Sequence, residues 1–160
     1  MTESACQSRF ERLMDIADRY ARHLSSDREK RVPGGVLLLE RDGRLHTVMV
    51  EGSHRELAAT ARELVSRHRV TSAALILSVP AAVSDEAGDS IYVLGESADG
   101  AVAERRYRVQ PGFRRRRLTP MAPDESMAVR RTVAQTFRPL FSAGAVHLWP
   151  TSRRAVRATA

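Results

Sequence analysis

Seven arginines fall between residues 105 and 117, with one acid, Glu104, beside them. They are Arg105, Arg106 and Arg108, then the unbroken run Arg114, Arg115, Arg116 and Arg117. A guanidinium is planar, always charged and forked, so it matches the paired oxygens of a phosphate or a carboxylate. Neutralising several phosphates at once gives binding that falls steeply with salt. Tyr107 and Phe113 bracket Pro111-Gly112. Aromatic rings in such a place either stack on unpaired bases or cap the edge of a core. Arg130, Arg131, Arg153, Arg154 and Arg157 would extend the basic surface. No helix-turn-helix, RNA-recognition signature or zinc finger is visible, so any nucleic-acid contact is expected to be led by the backbone and weakly sequence-specific. The competing reading is a solvated edge strand, because charge on an edge blocks sheet-to-sheet aggregation. One or two charges suffice for that, and this run exceeds the need.

Other chemistries find little to work with. His23, His46, His54, His68 and His147 form no ligand spacing with one another, with Cys6 or with a carboxylate. Cys6 sits in a helical stripe with no histidine base in view, so an inert core thiol is expected. No nucleophile elbow is present, and "VPGGV" lacks the lysine, hydroxyl and following helix of a phosphate-binding loop. Asp85, Glu86 and Asp89 cluster in one loop without calcium-loop spacing and read as solvated acids. The expectation is no catalytic residue, no metal and no cofactor.

The charge map points the same way. Of 160 residues, 42% are hydrophobic, 28% charged and 5% aromatic, which fits one globular domain with an aliphatic core. Residues 1–100 carry a net charge of −3 and residues 101–160 a net charge of +10. Arginine outnumbers lysine 25 to 1, a ratio that codon bias alone can produce. Codon bias would not remove the acids, however, and none follows Glu125. A basic face or arm aimed at something acidic is expected. A single cysteine excludes an internal disulfide, and no apolar run approaches a membrane span. A cytoplasmic protein of bacterial type, without membrane contact, is expected.

The elements that must hold these residues follow from spacing. Cys6, Phe10, Leu13, Ala17, Tyr20 and Leu24 recur at helical steps, predicting a helix over 5–24, with Ser4 and Gln7 as its capping box. "GVLLLERDGRLHTVMV" predicts strands 35–40 and 45–50 around an Asp42-Gly43 hairpin turn, the first strand central because it is apolar on both faces. Ser53 and Glu56 cap a second helix, with Leu57, Ala61, Leu64 and Val65 buried, His68 half-buried, and Arg55, Arg62, Glu63 and Arg69 in water. Strand 72–79 follows, then an acidic, loose loop. "SIYVLGES" and "AVAERRYRV" pair around a turn at Gly100. Setting Ile91 against Tyr107 puts Val93, Tyr107 and Val109 on one face and Glu104, Arg106 and Arg108 on the other. Pro111-Gly112 fits a type II turn. Residues 113–118 read as an edge strand or an extended arm. A helix from Pro123 to about Arg138 is stopped by Pro139. Residues 1–150 are expected to form one domain, 145–150 a last short strand or clasp, and 151–160 a disordered basic tail.

The predicted class is α/β (α+β): one five-stranded, mixed but antiparallel-rich sheet flanked by helices, in the order α-β-β-α-β-β-β-α. That order, over residues 5–138, resembles the roadblock/longin-like small α/β domains, and loosely also small proteins of bacteria and their mobile elements. The first resemblance implies a non-catalytic dimeric scaffold or regulator. Two readings of function stand side by side. One is an accessory or regulatory protein whose basic region binds an acidic partner, DNA or RNA before acidic protein. The other is a homodimeric interaction scaffold whose arginines only solvate it. An enzyme with a site not readable from sequence is a third.

Overall fold

The computed structural model describes residues 3–26, 35–80, 88–112, 115–121 and 136–141, with side chains from residue 8 onward. Helix α1 (Glu3–Ser26) precedes strands β1 (Gly35–Arg41) and β2 (Arg44–Val50). Helix α2 (His54–Arg67) leads to β3 (Ser72–Val79), β4 (Ser90–Ser97), β5 (Val102–Gln110) and β6 (Arg117–Pro120). The six strands make one sheet in the order β2-β1-β3-β4-β5-β6, and every neighbouring pair is antiparallel.

The sheet therefore departs from the expected five-stranded, mixed one in two ways. Strands β2 and β3 both pair with β1, so the α2 crossover carries the chain to the far side of β1 and no parallel pair forms. The sixth strand is the segment that its charge made ambiguous. Arg117–Pro120 pairs with β5, and Leu118 tucks under the α1 layer. The helix expected from Pro123 falls mainly outside the described residues. Of that span Thr136 and Phe137 are described and helical, and Arg138 and Pro139 are not helical. The proposed clasp at 145–150 and the tail at 151–160 also lie outside the described residues, as does the acidic loop up to residue 87.

Local chemistry sets each join. Asp42 and Gly43 both take positive φ, 52° and 74°, the two-residue turn whose twist suits a hairpin. Ser53 Oγ accepts from the Glu56 N–H while the Glu56 carboxylate accepts from the Ser53 N–H, completing the predicted capping box. Gly112 does not take the positive φ of a type II turn. A side chain there would instead strike the Arg115 carbonyl, so glycine serves a close approach within the β5–β6 loop.

Both faces of the sheet are covered. On one, Phe10, Leu13, Met14, Ala17 and Ala21 of α1 pack on Val36, Leu38, Ala74, Ile76, Ile91, Val93 and Tyr107. On the other, Leu57, Ala58, Ala61 and Val65 of α2 pack on Leu37, Leu39, Leu75, Leu77 and Tyr92, joined by Phe137 and Leu140. Helix α1 approaches β4 so closely that a Cβ on Gly95 would collide with Met14 Sδ and lie 3.1 Å from the Phe10 ring. Strands β1, β3 and β4 are buried on both sides, which is why they read as unbroken apolar runs.

The segment 136–141 is strapped onto the α2 face. The Glu96 carboxylate, 7% exposed, accepts the Leu140 N–H at 2.9 Å and the Phe141 N–H at 3.2 Å. Arg62 donates to the Thr136 carbonyl at 2.7 Å and the Pro139 carbonyl at 3.1 Å. Arg138 donates to the Ala103 carbonyl at 3.0 Å. Arg62, expected in water, is thus a clamp between α2 and a segment more than seventy residues away.

Candidate anion-binding edge

The arginines of residues 105–117 divide by strand face and by edge. Alternation in β5 holds as predicted: Ile91 stands opposite Tyr107 and Tyr92 opposite Arg106. Arg105 and Tyr107 therefore point to α1, and Glu104, Arg106 and Arg108 to the other face.

Most of the β5 charge is spent inside the fold. Arg105 Nη2 lies 2.9 Å from Asp15 Oδ1, and its Nη1 donates to the Met14 carbonyl at 3.3 Å. It pins α1 to β5. Arg106 is buried, with its Nε 3.6 Å from Glu104 Oε1. Arg108 is half-buried and engaged within the structure. Tyr107, a candidate stacking platform, is buried instead. Its hydroxyl donates to Asp18 Oδ1, and the Arg22 guanidinium lies 5.1 Å from its ring centroid. Arg22 is itself 3.2 Å from Asp18 Oδ2. The ring thus caps the core edge beneath an Arg22–Asp18 pair, and no base can reach it.

Arg115, Arg116 and Arg117 behave differently. Arg115 and Arg117 are exposed and Arg116 is half-buried. No ion pair joins any of them to a carboxylate among the described residues. Arg117 opens β6 opposite Gln110, so no like charge faces it across the strands. Strand β6 is one edge of the sheet among the described residues, four residues long and ending at Pro120. Arg114, Phe113, Arg130 and Arg131 lie outside the described residues.

The partners of Arg105 and Tyr107 were missed in the sequence because they stand about ninety positions away, on α1. One signal existed. Asp15 and Asp18 flank the buried positions Met14 and Ala17, so they border the face that meets the sheet.

A second polar concentration lies at the opposite end of the strands. A cleft of about 150 Å³ is lined by Arg9, Glu40, Thr71, Ser72, Ser97 and Asp99, among others. There Glu40 Oε2 accepts from Thr71 Oγ1 at 2.6 Å and from Ser72 Oγ at 3.0 Å, tying β1 to the start of β3. Among the described residues no group of three or more His, Cys, Asp and Glu side chains is placed to hold a metal ion.

The described histidines stay apart from any such chemistry. His54 packs edge-on against Phe137, with centroids 5.8 Å apart. His68 caps α2, its N–H donating to the Leu64 carbonyl. Burial pushes its imidazole below the usual 6.5, and the positive charges of Arg41, Arg67 and His46 add to this. The Glu56 carboxyl is held below its usual 4.5 by the Ser53 backbone N–H and then the Ser53 hydroxyl. No described helix is long and apolar enough to cross a membrane. Compared with protein-family models, with curated proteins and with solved structures, the chain matches none.

Proposed function

We propose that this chain is a non-enzymatic accessory protein that holds an acidic partner, nucleic-acid backbone foremost, along the β6 edge. The observation that carries the reading is the run Arg115, Arg116 and Arg117, leading from the β5–β6 loop into the edge strand β6 and without a carboxylate partner among the described residues. Forked donors on three successive residues suit neighbouring phosphates, and the short strand with its terminal proline disfavours pairing with another strand. Arg105, Arg106 and Tyr107 are no part of this grip, since the fold uses them. The grip is correspondingly modest. Three neutralised phosphates give a slope of log affinity against log salt of about −3 on duplex DNA.

The test is fluorescence anisotropy with duplex and single-stranded oligonucleotides over a salt series. The parent chain is expected to bind with a slope near the stated value. Arg115→Glu, Arg116→Glu and Arg117→Glu together are expected to abolish binding and leave the melting temperature unchanged. Equal affinity in the parent and the triple variant would remove this edge from the mechanism.

A further inference from the structure

The other edge of the sheet has a different character. Of the devices that blunt natural edges, namely charge, proline and bulges, strand β2 has only Arg44, at its hairpin end; its seven residues all pair with β1 without a bulge. Leu45 is 40% exposed and Met49 60% exposed, two of the three large hydrophobic side chains on the described surface. Both stand on the α1 face, with Thr47 between them, because they pair with Glu40, Val36 and Leu38 of β1. Helix α1 lies over β3 and β4 and leaves β2 beyond its margin. Between α1 and β2 runs a cleft of about 280 Å³, lined by Arg12, Leu13, Ile16 and Leu45 among others.

Among the described residues no strand pairs with the outer side of β2. In a two-residue hairpin the closing pair, here Arg41 and Arg44, exchanges both ladder hydrogen bonds, and every second pair does so after it. Arg44, His46, Val48 and Val50 therefore turn their N–H and C=O groups toward β1. Leu45, Thr47 and Met49 turn theirs outward. The far side of β1 agrees, since Glu40, next to the closing pair, gives its carbonyl to the Thr71 N–H on the β3 side at 2.9 Å.

We propose that β2 pairs antiparallel with β2 of a second copy of this chain, about a two-fold axis through Thr47. A two-fold perpendicular to the sheet keeps each face continuous, so residues of equal parity meet. With the axis at Thr47, Leu45 stands opposite Met49 of the second copy, twice over. The exposed apolar side chains cover one another, and Met49 of the second copy reaches the mouth of the α1–β2 cleft. Thr47 meets its own counterpart, a favourable cross-strand pair. His46 faces Val48 and Arg44 faces Val50, so no like charges oppose. Glu51 of the second copy falls opposite Gly43 at each end, so no like charge meets it there. One strand pair with four apolar side chains is a small interface, so the dimer forms at micromolar concentration.

Sedimentation velocity on the full chain over a concentration series tests this. A monomer–dimer equilibrium is expected. Leu45→Lys or Met49→Lys is expected to weaken it at least tenfold, and the Met49 variant to leave the melting temperature in place, since that side chain is mostly in water. Register is read by disulfide trapping in a Cys6→Ser background. Thr47→Cys is expected to give a linked dimer under mild oxidation, because paired Cα atoms about 5.5 Å apart suit a disulfide. Met49→Cys is not, because its two copies would lie ~14 Å apart. A chain monomeric at its highest soluble concentration overturns the proposal. So does a dimer indifferent to both lysine variants, or trapping at residue 49 as fast as at residue 47. If a lysine variant fails to fold, the trapping result decides alone. No anion enters these readouts, so the dimer stands or falls separately from the arginine edge.

Discussion

Asp18 serves two groups at once: it accepts from the Tyr107 hydroxyl and pairs with Arg22, and so holds the guanidinium over the tyrosine ring. Together with Asp15 it turns one margin of α1 into the counter-charge of β5. Tyr107→Phe is expected to lower stability by about 1 kcal/mol, the net worth of one hydrogen bond, and to leave oligonucleotide affinity unchanged. Denaturant melts and anisotropy on the same variant check both halves. His68 supplies a pH signature. Its folded-state pKa is depressed, so the unfolded chain takes up this proton more readily than the folded one. The stability it contributes is complete above pH 6.5 and is lost as pH falls through the lower folded-state value. His68→Gln should flatten that decline in a series of melts on the acid side of neutrality. Alternation along β5 was readable from residue types alone, because a period of two needs no knowledge of neighbours. That Arg105 meets Asp15 was not, because that depends on α1 crossing β5, a contact ninety positions long.

At the scale of elements, turn and cap chemistry was legible and long-range anchoring was not. The Asp42-Gly43 hairpin, the Ser53–Glu56 cap and the β4–β5 register are all short-range, and each follows from a few adjacent residues. The strap at 136–141 has no such signature. Glu96 reads as a polar position in a strand, yet it is buried and spends its carboxylate on the Leu140 and Phe141 N–H groups. Arg62 looks like a wet helix residue and is a clamp. Glu96→Ala removes both acceptors and leaves two N–H groups without them. A loss of about 2–4 kcal/mol is expected, with early proteolysis near residues 136–141. Melting together with limited proteolysis would show it; a variant as stable and as resistant as the parent would mean that Phe137 and Leu140 hold the strap by packing alone. Strand β6 was the other ambiguity. Charge made Arg117 look like part of an arm, while Leu118, which decides the matter by docking under α1, is a single apolar residue in a basic run.

At the scale of the whole molecule, six strands separate two edges of opposite chemistry, apolar at β2 and cationic at β6. Pairing through β2 would place the two β6 edges at the far ends of a twelve-stranded sheet, ~50 Å apart at the usual strand spacing. That span matches about 15 base pairs of duplex at 3.4 Å each. Duplexes clearly longer than this should engage both ends and gain from effective concentration, whereas shorter ones should not. Met49→Lys is therefore expected to weaken binding to a long duplex several-fold and to leave a short one untouched, which anisotropy with two duplex lengths would reveal. The unlike edges also bear on how far association can go. A strand-adding surface that recurred at both ends of the sheet would let copies stack without limit, as fibres do. In the proposed dimer one end of the sheet takes a copy of itself, while the other, short, tipped by Pro120 and opened by Arg117, is built to turn strands away. If β2 pairs as proposed, growth would stop at two, and the arginines proposed to hold an anion would also keep copies from stacking at β6.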